Sequence, residues 1–190
     1  MLLGGLTEPI PEWARQRRAG WRYVGQERPP FAVAPGPGQE SVWGYPRPPR
    51  VDRDRREVIV RVGPVVIARS NRSTRVLETS SPPCFYLPPE DVQVSLLQPS
   101  VARSWCEWKG EASYWTLVLS DRHVERVAWS YPDPFPGFEQ IRGCFSFYPS
   151  RVECYVNSVR VEAQPGGFYG GWITPDLVGP FKGVPGSEAW

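Results

Sequence analysis

The chain has 190 residues and a formal net charge of +2, from 22 basic and 20 acidic side chains. That length supplies one domain with a full hydrophobic core, and 41% hydrophobic residues suit a globular class. The near-neutral charge gives no reason to expect nucleic acid or a membrane surface as partner, and no apolar run approaches the roughly 20 residues of a membrane span.

The composition is otherwise unusual. There are 23 Pro and 18 Gly with no collagen period, which means many turns, and 9 Trp against one Met, which means rigid aromatic packing. The four cysteines, at 84, 106, 144 and 154, include no C-x-x-C pair, so neither zinc-knuckle nor redox spacing is present. The opening Met1-Leu2-Leu3-Gly4-Gly5-Leu6 is too short for the apolar region of a signal peptide. The expectation is a cytoplasmic protein with reduced thiols, no cofactor and no metal.

Residues 1–50 form a Pro-rich N-terminal arm. Prolines interrupt it at 29, 30, 35, 37, 46, 48 and 49, which rules out a long helix or a central strand. A short helix is predicted from Glu12, after Pro11, to Gly20 as its stop. Trp13, Trp21, Trp43 and Tyr45 are too many rings for a free tail, so the arm is expected to dock on the body.

The body spans 51–164. Glu57–Val62 and Val65–Ser70, flanking Gly63-Pro64, predict a β-hairpin of two β-branched runs. Arg75–Thr79 and Cys84–Tyr86 predict further strands, separated by Pro82-Pro83. Pro88-Pro89-Glu90-Asp91 predicts a helical turn through about Leu97. Strands are then predicted at Trp105–Trp108, Ser113–Leu119, His123–Ser130 and Gln140–Tyr148. Arg151–Val156, the turn Asn157-Ser158, and Val159–Ala163 predict a last hairpin. Short strands with local turns argue for an antiparallel all-β class. Residues 165–190 form a Gly/Pro/aromatic C-terminal extension without the strand-to-helix context or G-K-[ST] ending of a phosphate loop.

Two aromatic stretches stand at the ends of these strands: Cys106-Glu107-Trp108-Lys109-Gly110-Glu111-Ala112-Ser113-Tyr114-Trp115 and Ala128-Trp129-Ser130-Tyr131-Pro132-Asp133-Pro134. In antiparallel order the start of the 113–119 strand lies beside the end of the 123–130 strand, so Tyr114 should neighbour Trp129. Lys109, Trp129, Tyr131 and Tyr114 are therefore expected to line one pocket, with Trp108 and Glu111 at its edge. A lysine among rings can hold an anion, make a cation–π contact or act as a base; the alternative is a turn lysine reaching water. Glu107 and Glu111 lie four apart across the turn, a weak basis for paired-carboxylate catalysis. His123 follows Ser120-Asp121-Arg122, but triad members come from distant segments, so it is expected at the surface. Cys106 and Cys144 are expected to pack in strands as small hydrophobes.

Four ordered motifs carry a family resemblance: Tyr86–Val92, Cys106–Tyr114, Ala128–Pro134 and Ile141–Tyr148. Over roughly residues 51–164 the chain resembles the bacterial domain-of-unknown-function family DUF427. Its opening Val42–Pro49 and endings Tyr169–Trp172 and Gly179–Gly183 resemble a longer subgroup with extensions. The resemblance implies a β-tent-like fold, two antiparallel sheets meeting at an angle. Relatives by fold often pin the apex with zinc on two Cys pairs, a pattern this chain lacks. A nucleotidyltransferase activity, sometimes attached to the family, finds no closely spaced carboxylates or phosphate-binding Gly-Ser turn here. The functional expectation is binding of a small molecule or peptide in the aromatic pocket. Two alternatives stand beside it: an enzyme using Lys109 or Glu111 as acid or base, and a protein–protein interaction module. A homodimer is left open.

Overall fold

The computed structural model describes residues 10–190, so the Met1–Leu6 stretch lies outside the described residues. One helix, Glu12–Ala19, follows Pro11 and stops at Gly20. The rest is all-β, with several antiparallel sheets. A first four-stranded sheet runs Phe145–Phe147, His123–Ser130, Gly110–Val118, Leu97–Cys106. A second runs Val159–Arg160, Glu153–Val156, Val58–Val62, Val65–Ser70, and a three-stranded sheet runs Arg50–Asp54, Ser73–Leu77, Cys84–Tyr86. Leu87 and Phe145 exchange two backbone hydrogen bonds of 2.8 Å, which joins the three-stranded sheet to the first. Two short pairs tie in the extensions: Glu40–Ser41 with Leu177–Val178, which is parallel, and Glu162–Ala163 with Trp172–Ile173.

The alternation of side chains along these strands assigns two faces. Val58, Val60, Val127, Leu117, Phe145, Phe147 and Cys154 fill one aliphatic-rich core, to which Phe85 and Leu87 also turn. Residues one step along, Cys84, Tyr86, Ala112, Tyr114 and Trp129, turn to a second cluster that also holds Tyr131, Tyr148 and Ile141. A third cluster docks the arm on the tail. Trp43 is fully buried, packed by Tyr23, Phe31 and Trp190 with ring centroids 5.0–5.3 Å away. Trp13 remains 40% exposed, edge-on to Trp105.

Several boundaries differ from expectation for physical reasons. The predicted 105–108 strand is the end of a ten-residue strand, Leu97–Cys106, whose Gln, Pro, Ser and Arg content hides its period. Its register shifts between Pro99 and Arg103, which leaves Val101 99% exposed. The predicted 140–148 strand shrinks to Phe145–Phe147, because Glu139–Ile141 forms a 3-10 turn first. The expected helical turn divides into two 3-10 turns, Pro89–Asp91 and Val94–Leu96. Arg50–Asp54 is a strand with no apolar alternation, held by pairing with Ser73–Leu77.

Candidate functional site

A cavity of about 370 Å3 opens on the aromatic face of the first sheet. Its floor comes from alternate residues of neighbouring strands. Tyr114 pairs directly with Trp129, as antiparallel order predicts. Trp129 packs on Tyr148 with ring centroids 4.5 Å apart, and its Nε1 donates to the Tyr86 hydroxyl at 3.1 Å. The Tyr114 and Ser104 hydroxyls share a hydrogen bond of 2.7 Å. Every one of these residues lines the cavity. Their rings are thus fixed by hydrogen bonds and by each other.

Both extensions complete the walls. Trp21 of the arm, Gln164 at the end of the body, and Tyr169, Gly170 and Lys182 of the tail face the same space. Gly170 is there by steric need, since a Cβ at that position would overlap the Trp129 ring. The Gln164 amide is fully engaged, donating to the Lys182 carbonyl at 2.8 Å and accepting from Gly171 N at 3.0 Å.

Lys109 closes the turn at 107–109, and Gly110 follows with φ +95°, a conformation that favours glycine. The arm helix holds that turn. The Arg18 guanidinium donates to the Glu107 carbonyl at 2.7 Å and the Trp108 carbonyl at 3.3 Å, and lies 4.9 Å over the Trp108 ring. Trp21 Nε1 donates to the Glu107 carboxylate at 2.9 Å, and Phe135 N donates to the Lys109 carbonyl at 3.1 Å. The lysine side chain is about nine-tenths buried. Its Nζ stands 5.9 Å from the Tyr131 ring centroid. Among the described residues, Nζ has neither a hydrogen-bond partner nor a carboxylate within ion-pair distance, and the Tyr131 hydroxyl has no hydrogen-bond partner either.

Burial works against the Lys109 ammonium, while negative charge at Cys106, Tyr86, Glu78 and Cys84 works for it; the net direction is upward. Burial itself pushes Cys84 up to about 12 and raises Cys106, Tyr86 and Tyr131. The thiols and phenols therefore keep their protons at pH 7, so of the four groups only the Glu78 carboxylate supports the ammonium there; the upward direction belongs to the higher pH at which the thiols and phenols ionise. Lys182, by contrast, is lowered to about 8, first by burial and then by Arg47. Its Nζ lies 3.9 Å from the Trp21 ring centroid, and the Arg47 guanidinium lies 4.0 Å from the same centroid.

Lys109, Trp129, Tyr131 and Tyr114 thus line one cavity. Trp108 and Glu111 do not. Trp108 is buried beneath Arg18, and Glu111 pairs in register with Trp105 on the strand behind the turn. Cys106 ends its strand and packs against the aromatic cluster, as expected, while also lining the cavity; Cys144 packs against the same cluster but just precedes its strand, with Sγ 3.8 Å from the Gln140 carbonyl. His123 is exposed at the start of its strand. The sequence reading missed Cys84, Tyr86, Trp21 and Lys182. For the first two, strand alternation was available once Phe85 was known to face the core; for Trp21 and Lys182 no local signal exists. Among the described residues no group of three or more His, Cys, Asp and Glu side chains is placed to hold a metal ion.

Strands, turn and cavity together define an all-β protein with an aromatic cleft on one sheet face. The family model described as domain of unknown function (DUF427) matches residues 50–158, more than half of the chain, and the chain belongs to that family. A comparison with curated proteins returns no match. The matched span carries the cavity floor and Lys109; Trp21, Tyr169, Gly170 and Lys182 fall outside it.

Proposed function

We propose that this protein binds a small organic anion in the aromatic cavity, with Lys109 as its anchor. The observation that carries this reading is the buried Lys109 ammonium, which has no counter-ion among the described residues and borders an open cavity. A desolvated charge without a partner is costly, and an incoming acidic group removes that cost. The unpartnered Tyr131 hydroxyl offers a second hydrogen bond to the same group. Trp129, Tyr148 and Tyr114 supply flat apolar surface, and a volume of about 370 Å3 sits at the small end of the roughly 300–1,000 Å3 typical of ligand pockets. That size favours a small molecule over a peptide.

The enzyme reading has less support. Among the described residues Lys109 Nζ has no side chain within hydrogen-bond distance to pass a proton to or from, which a general acid or base needs, and Glu111 does not line the cavity. Four free cysteines support the expected reducing, cytoplasmic location. Isothermal titration with phenylacetate tests the anion reading. Wild type is expected to bind and Lys109→Met to lose at least tenfold in affinity while retaining its far-UV circular dichroism. Equal affinity in both proteins sinks the assignment of Lys109.

A further inference from the structure

We propose that the acidic group of the ligand is a tetrahedral oxyanion, a sulfur or phosphorus acid, seated among Lys109, Tyr131 and Tyr86. This rests on the anion reading above and names the class of the acid. The three side chains come from separate segments: Lys109 from the turn before Gly110–Val118, Tyr131 from the chain just after His123–Ser130, and Tyr86 from the end of Cys84–Tyr86. All three line the cavity, and at most 9% of any of them is exposed. The Tyr131 ring adjoins both of the others, its centroid 5.9 Å from Lys109 Nζ and 6.3 Å from the Tyr86 ring centroid.

Each brings a donor with no acceptor. The Lys109 ammonium carries N–H donors only, and the Tyr131 hydroxyl carries an O–H. Neither Nζ nor that hydroxyl has a hydrogen-bond partner among the described residues, and both face open space rather than protein. The Tyr86 hydroxyl accepts from Trp129 Nε1 at 3.1 Å, which leaves its own O–H without an acceptor. Burial pushes both phenols upward, so both keep that hydrogen at neutral pH. The Cys84 and Cys106 thiols beside them are protonated too and add only weak donors. The Glu78 carboxylate is held by Arg47 Nε at 3.0 Å and lies beyond ion-pair distance of Lys109 Nζ. This end of the cavity is therefore rich in donors and short of acceptors, and buried donors are rarely left unpaired. A carboxylate has two oxygens whose lone pairs lie close to one plane. A sulfonate or phosphonate has three terminal oxygens, one for each of the three side chains, and spreads its charge over all of them.

The test uses the full chain and three probes that share a benzyl group and differ only in the acid: phenylacetate, phenylmethanesulfonate and benzylphosphonate, titrated calorimetrically at pH 7. At least one of the two tetrahedral acids is expected to bind about tenfold or more tightly than phenylacetate, the scale of an added hydrogen bond to a charged group. Which of them wins tells a sulfur acid from a phosphorus acid. Tyr131→Phe keeps the ring and removes the donor, so the advantage of the tetrahedral acid over phenylacetate is expected to shrink about threefold or more while far-UV circular dichroism is retained. That loss separates a count of donors from a preference for charge, because the substitution leaves the charge of the site unchanged. Tyr86→Phe is expected to shrink the advantage likewise, and if one variant does not fold the other decides. Wild type that favours neither tetrahedral acid over phenylacetate overturns this seat alone and leaves Lys109 as the anchor of a carboxylate. An advantage undiminished in the folded tyrosine variants overturns it as well. Folded wild type that binds no probe overturns the anion reading and this proposal with it.

Discussion

The first sheet presents two unlike faces. Against the second sheet it packs Val127, Leu117, Phe145 and Phe147 onto Val58, Val60 and Val156, side chains with no polar atoms to satisfy. On the other face it presents Tyr114, Trp129 and the Cys106 thiol, beside Tyr86 and Cys84 of the three-stranded sheet, with a buried lysine at the turn. The aliphatic face removes apolar surface from water and leaves nothing to bind. The aromatic face leaves a cavity, several hydroxyls and one uncompensated charge. On the binding we propose, stability and recognition are divided between the two faces, and that division makes them separately breakable.

The sharpest break is on the aliphatic side. Phe147→Ala removes a fully buried ring whose carbonyl also holds Trp172 Nε1 at 2.9 Å. It is expected to cost about 3–5 kcal/mol in urea unfolding; a loss under 1 kcal/mol would show that this core yields to repacking. Next comes Lys109→Met, for which the sides exchange roles. Ligand affinity should fall by about 2 kcal/mol, the scale of a hydrogen bond to a charged group, while the unfolding midpoint holds or rises because a buried charge has gone. A drop in that midpoint would make Lys109 a structural residue. Gly170→Ala drives a methyl into the Trp129 ring. Overpacking of this kind costs about 1–3 kcal/mol, and the expected signature is a loss of ligand affinity together with a change in Trp129 fluorescence; unchanged binding would place the ligand away from that ring. Arg18→Ala has the mildest effect. It frees the Glu107 and Trp108 carbonyls, so ligand affinity should fall by about 1 kcal/mol with little change in unfolding. Wild-type affinity in that variant would mean the turn holds its shape without the arm.

Much of the aliphatic face was legible in the sequence, and much less of the aromatic one. Val58–Val62 and Val65–Ser70 announce themselves by β-branched alternation around Gly63. The neighbourhood of Tyr114 and Trp129 followed from hairpin order alone, because antiparallel pairing is a local consequence of a tight turn. Leu97–Cys106 was cut short because its pairing with Gly110–Val118, not its own pattern, makes it a strand. Trp21 and Lys182 lie more than 150 residues apart and meet only after both extensions fold over the sheet. No periodicity encodes such a meeting, and the segments that bring them there are rich in Gly and Pro.

The register break between Pro99 and Arg103 has a bearing on how this protein behaves in a crowded solution. Leu97–Cys106 is the outermost strand of its sheet, and a straight outer strand offers a row of free N–H and C=O groups to any passing chain. Here Pro99 has no N–H to offer, and Arg103 Nη1 covers the carbonyls of Ser100 at 2.8 Å and Ala102 at 2.7 Å from within its own strand. The ladder is interrupted where a second copy would need it continuous. The same kink that throws Val101 into water therefore guards against edge-to-edge aggregation, and straightening it with Pro99→Val is the change most apt to drive the protein toward fibres.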